Sequence, residues 1–178
     1  MTRILLIKLL FVSSVLSAQP LTSEQMIQRG DEVSAKLLQT LGGELKNQIQ
    51  NGGLIKALHF CSQNALILTD KIAKESGVKI KRISLLNRNP LNHPSAEEKK
   101  VIEAWQLASN QGELLPSHTI YNGIYYKPII INNEVCLKCH GTLQSESPIA
   151  KSIKNSYPED KAVGYKMGDL RGAIQVSF

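Results

Sequence analysis

The sequence predicts an α+β domain: two N-terminal helices, then a small antiparallel sheet with helices inserted between its strands. Three observations carry that prediction. Apolar residues recur at helical spacing from Thr22 to Glu75, broken at Asn51-Gly52-Gly53. Polar and apolar residues alternate over Lys79 to Leu85, the period of a half-buried strand. Asn122-Gly123 stands between segments rich in Ile, Tyr and Thr, a strong short-range hairpin signal.

The first helix is expected from Thr22 to about Asn51. Thr22 and Gln25 fit a capping box, and Val33, Leu37, Leu41 and Leu45 share a face. The second runs from about Leu54 to Glu75 and stops before Gly77, a suitable C-cap. Its stripe of Leu54, Leu58, Cys61, Ala65, Leu68 and Ile72 directs Cys61 into the core. A strand over Lys79 to Leu85 and a loop over Asn87 to Pro94 follow. Ser95 and Glu98 open a helix to about Asn110. His118 to Tyr126 and Lys127 to Asn132 read as strands, with the turn at Asn122-Gly123. Ile149 to Asn155 reads as a short helix, Tyr157 to Gly172 as a loop, and Ala173 to Phe178 as the last strand.

Of 178 residues, 42% are hydrophobic, 20% charged and 5% aromatic, with a net charge of +6. That balance excludes collagen, long disordered tracts and a disulfide knot, and fits one ordinary domain. No dense basic run alternates with aromatic residues, so nucleic acid is not an expected partner. Three cysteines cannot all pair with one another, so at least one has another role.

Residues 1–18 have a basic flank (Arg3, Lys8), an apolar stretch from Leu9 to Leu16 and small residues at Ser17-Ala18. This is the pattern of a secretory signal peptide. A buried helix and a retained membrane anchor are the other readings of the segment. Cleavage leaves 19–178 as one exported, periplasmic domain without a membrane span, its cysteines outside the reducing cytosol.

Cys136-Leu137-Lys138-Cys139-His140 is a C-x-x-C-H pentapeptide, the attachment motif for c-type haem. The spacing lets two thiols reach the two vinyl groups at one porphyrin edge, and the next residue supplies an imidazole to the iron. A thioredoxin-like redox pair is a weaker reading, because no parallel βαβ pattern surrounds the motif. Zinc needs further closely spaced ligands. For the sixth iron position the residues leave Cys61, Met26, Met167, His59, His93 and His118 as candidates, and spacing does not choose among them.

The chain resembles exported c-type haem proteins with a PAS-like fold and cysteine–histidine iron ligation, found free-standing in cyanobacteria and other bacteria and as bacterial sensor domains. The resemblance rests on His59-Phe60-Cys61 with Ala65, and on Arg82-Ile83-Ser84-Leu85 with Arg88-Asn89-Pro90 and Asn92. It continues through Cys136 to Gly141, then Tyr157-Pro158-Glu159-Asp160 with Ala162. Gly164-Tyr165, Gly168-Asp169 and Arg171-Gly172-Ala173-Ile174 complete it. It covers nearly all of the mature chain. It implies one covalent haem c, thioether bonds from Cys136 and Cys139, and axial ligation by His140 and Cys61. Arg82, Arg88, Lys127, Tyr165 and Arg171 are candidates for the haem edge, where buried propionates need partners.

These features point to a mono-haem c-type cytochrome that acts in low-potential electron transfer or in redox or gas sensing, rather than to an enzyme. A thiolate donor favours the ferric state, and two protein axial ligands leave no position for substrate. The expected partners are a redox protein or a separate signalling protein, with CO or NO binding on reduction. With no kinase or methyl-accepting segment expected after Phe178, a sensor of this kind is expected to signal through a separate protein. The alternatives are a peroxidase-like haem enzyme with an open distal site, where His93 or His118 serves, and an exported dithiol–disulfide protein without haem.

Overall fold

The computed structural model describes residues 19–178. The expected leader, 1–18, lies outside the described residues. The elements run α1 (Ser23–Ser76), β1 (Lys79–Ile83), a short 3-10 turn (Pro90–Asn92), α2 (Ala96–Asn110), β2 (Thr119–Tyr121), β3 (Ile124–Ile130), α3 (Glu134–His140), α4 (Pro148–Ser156) and β4 (Leu170–Ser177). The result is an α+β architecture around one four-stranded antiparallel sheet, ordered β1-β4-β3-β2.

The two expected N-terminal helices form one helical run, α1, with non-helical backbone at Gly52 and Gly53. Gly53 has φ 75, a left-handed conformation that glycine adopts without a Cβ penalty. Lys36 Nζ lies 2.8 Å from Glu75 Oε2, and Arg29 donates to the Ser76 carbonyl at 3.2 Å. The two halves therefore lie side by side, antiparallel. Thr22 and Gln25 form the reciprocal capping box, and Gly77 closes the helix in the left-handed region.

β1 stops at Ile83 instead of Leu85 because Ser84 leaves the ladder. Its N–H donates to the Asn92 carbonyl at 3.0 Å and its hydroxyl to the Arg171 carbonyl at 2.8 Å. Asn122 and Gly123, at φ 51 and 72, make a two-residue turn with positive φ at both positions. That turn corrects the expected strands: Ile124 to Tyr126 belong to β3, and Ile131 already turns away to bond Asp169. β4 begins at Leu170, before the expected Ala173. Gly172, at φ 155, lets it press against β1, where any Cβ would collide with the Ile83 carbonyl oxygen.

The core has two main clusters, one on each face of the sheet. Val33, Leu37 and Ile72 of α1 pack on Tyr125, Ile174 and Val176. Val101, Ile102 and Trp105 of α2 pack on Ile83, Tyr126, Leu170 and Ala173. A smaller third cluster, Ile131, Ala162 and Tyr165, receives Cys136 and Leu137 of α3.

Gly30 lets α1 approach the sheet, since a Cβ there would fall on the ring of Tyr125, which is 0% exposed. Gly30→Ala is expected to cost about 1–3 kcal/mol through overpacking. Gly42→Ala meets no atom within 4 Å. It should gain up to about 1 kcal/mol from helix propensity. Urea midpoints of the two variants check the contrast, and equal midpoints would refute it.

Candidate functional site

The C-x-x-C-H motif forms the body of α3. Asn133 caps it, its side-chain oxygen accepting from the Val135 N–H at 2.9 Å. Helical spacing brings Cys136 and Cys139 onto one side, three residues apart. Both are half-buried free thiols. Burial pushes the Cys139 thiol up, against the pull of Arg88.

His140 is held from behind. Its Nδ1 lies 2.7 Å from the Ala162 carbonyl oxygen. A carbonyl only accepts, so the hydrogen-bond network assigns the proton to Nδ1 and leaves the Nε2 lone pair free for a metal. Burial drives the imidazole down to about 3, with Arg171 and Arg88 adding to the effect, so the ring is neutral at ordinary pH. Tyr165 meets it edge-on, ring centres 6.2 Å apart. The backbone closes the same contact, as Tyr165 N–H donates to the His140 carbonyl at 2.9 Å and Gly164 N–H to that of Gly141 at 3.0 Å.

Arg88 ties this region together. Its Nε and Nη2 bond both oxygens of Asp160 at 3.1 and 3.0 Å. Nη2 also reaches the carbonyls of Cys139, at 2.7 Å, and Ala162, at 3.1 Å. The pair is buried, with side chains 10% and 7% exposed. Arg88 thus already has its anion, and its role is to fix the motif helix.

Cys61 is half-buried instead of lying in the core. Of its expected stripe, only Leu58 and Ile72 are fully buried. Burial pushes the Cys61 thiol up, Arg82 pulls it down, and Cys139 and Glu44 push it up. Tyr157 is under the influence of both Cys61 and Arg82. Cys61 thus feels the charge of Cys139, a residue far along the chain.

Arg82 and Arg171 have buried Nε atoms without hydrogen-bond partners. Neither guanidinium has a carboxylate within ion-pair distance among the described residues. Burial pushes both down from the usual guanidinium range. Arg82 is cross-strand neighbour of Ile174, hence on the sheet face that α1 covers. Arg171 lies over the Tyr165 ring, 5.3 Å from its centre.

Lys127 is not part of this group. Two residues from Tyr125, it shares that strand face and pairs with Asp31 of α1 at 2.7 Å. His118 sits in the same network, stacked on Tyr125. His59, His93 and Met167 are exposed, and Met26 is half-buried in the first half of α1. The zinc alternative needs a cluster of ligands, and no three His, Cys, Asp or Glu side chains group as a metal-ion site among the described residues. Sequence reasoning assigned no role to Asp160, Tyr157 or the Ala162 carbonyl. Their only signal was membership in the Tyr157–Ala162 stretch that carries the resemblance.

Comparison with known proteins gives two matches. The model of the Tll0287-like family (Tll0287) matches residues 12–178. The crystal structure of the cyanobacterial heme-protein Tll0287 is similar, with 21% identity, a TM-score of 0.65, and coverage of 89% of this chain and 96% of that one. At that identity the likeness shows a shared fold. No curated protein matches.

Proposed function

This chain belongs to the Tll0287-like family, and on that premise we propose that it is an exported mono-haem c-type cytochrome acting in low-potential electron transfer or redox sensing. The structurally similar protein is a heme-protein, and the side chains here have the chemistry to hold the same group. Cys136 and Cys139 would form the thioethers. His140, through its free Nε2, and Cys61 would be the axial donors. Arg82, buried beside Cys61 with an unpartnered Nε, would receive a propionate. When bound, haem supplies a one-electron couple, which thiolate donation keeps at low potential. A sheet with the last strand between β1 and β3 supports the PAS-like description.

The observation that carries this reading is the orientation of His140 within the C-x-x-C-H helix, its Nδ1 held on the Ala162 carbonyl so that Nε2 stays free. The protein's own work is positional. Ala162 holds the His140 proton on Nδ1, Arg88 holds the helix, and Cys61 on α1 would be the second donor to the iron. Withdrawal of Cys61 on reduction would open a place for CO or NO and shift α1, which is how sensing by a separate partner protein would start.

The test is an absorption spectrum of protein made with haem-c maturation, with a pyridine haemochrome after acid–acetone extraction. The expected result is a c-type haemochrome that resists extraction and a low-spin ferric spectrum. Cys136→Ser/Cys139→Ser is expected to lose all covalent haem. A high-spin ferric spectrum would favour the open-site enzyme, and wild-type protein without covalent haem would overturn the reading.

A further inference from the structure

A cavity of about 240 Å³ opens on the sheet face that α2 covers, toward the β1–β4 end. Leu85, Leu86, Ile102 and Leu170 make the apolar part of its wall, and Arg171 is its one cation, among the neutral polar groups of Ser84, Gln106 and Tyr165. Arg171 is anchored there by Ser84 Oγ at 2.8 Å and the Leu86 carbonyl at 3.2 Å. Those bonds use Nη1. The buried Nε has no partner, and no carboxylate lies within ion-pair distance among the described residues.

We propose that this cavity binds a small monocarboxylate with a short aliphatic chain, its carboxylate on Arg171 and its chain between Leu86 and Ile102. One cation lines the cavity, and the rest of the wall is mostly apolar. That suits a monoanion with a hydrocarbon body better than a phosphate, which asks for several donors. The volume fits an acid of three to five carbons, not a drug-sized ligand, for which about 300–1,000 Å³ is usual. The site has a route to the proposed iron ligand. Arg171 covers Tyr165, and Tyr165 abuts His140.

A carboxylate on Arg171 has two sources, a free acid or a propionate of the protein's own haem, and the proposal commits to the free acid. The experiment is a butyrate titration of the full holoprotein, read by methyl NMR shifts of Leu86, Ile102 and Leu170. A pyridine haemochrome of the same sample reports separately on the haem reading. Saturable shifts are expected, with butyramide, the uncharged analogue, binding at least ten-fold more weakly. Arg171→Gln should weaken butyrate at least ten-fold. Leu86→Trp, at a position 46% exposed, should block the cavity without disturbing the Arg171 anchor. Absence of saturable shifts, equal binding of butyramide, or unchanged butyrate binding by Leu86→Trp would each overturn the proposal. So would binding only to the haem-free Cys136→Ser/Cys139→Ser protein, because a haem propionate would then hold Arg171.

Discussion

Asp160→Ala is expected to destabilise the fold by about 3–5 kcal/mol, because it leaves the buried guanidinium of Arg88 without its anion. Both partners are nearly sequestered from water and share two hydrogen bonds. Against a total stability of about 5–15 kcal/mol, this is a large fraction. The damage also spreads. Asp160 Oδ1 accepts from the Ala162 N–H at 2.9 Å, and the Ala162 carbonyl orients His140. Urea denaturation of Asp160→Ala, Arg88→Ala and the double variant checks the estimate. The double variant should lose less than the sum of the singles, since they remove one network. A loss under about 1 kcal/mol for either single variant would refute the clamp.

Cys61→Ser is expected to remove the low-spin thiolate signature from the ferric spectrum and EPR while the covalent haemochrome stays intact. Serine has nearly the same shape, and Cys61 is only half-buried, so the fold should lose about 1 kcal/mol or less. That separation makes the measurement decisive: ligation changes, folding and attachment do not. An unchanged spectrum would remove Cys61 from the iron and return Met26, Met167 and the remaining histidines to consideration.

Local patterns were legible in the sequence, and long-range ones were not. Ser95 with Glu98, Thr22 with Gln25, and Asn122-Gly123 are specified within a few residues, and each forms the predicted structure. The motif pentapeptide is equally local. The stripe of α1 directs Cys61 into the core, and the structure leaves it half-buried, because a helical stripe says nothing about how far the sheet extends beneath it. Arg171-Gly172 resembled loop sequence because glycine usually weakens a strand. Here it is required, since β4 presses on the Ile83 carbonyl. Lys127 has the charge that a propionate needs, but strand alternation turns it toward Asp31 of α1, a pairing that no local pattern announces. The Arg88–Asp160 pair joins distant segments and has no signature until the chain is folded.

The sheet order also carries a kinetic consequence. β4 is the last strand described, yet it lies between β1 and β3. During vectorial synthesis or export, β1 and the β2–β3 hairpin emerge before the strand that joins them. Until residues 170–177 arrive, both present open edges, the template for misassociation. The motif turn, Cys136 to His140, follows the hairpin and also emerges before β4. Cys61 lies far upstream of that turn, so any contact between the two is non-local and forms more slowly than the turn itself. On the haem reading proposed above, covalent loading of the motif turn would not wait for the sheet to close, whereas ligation by Cys61 would depend on the later long-range contacts.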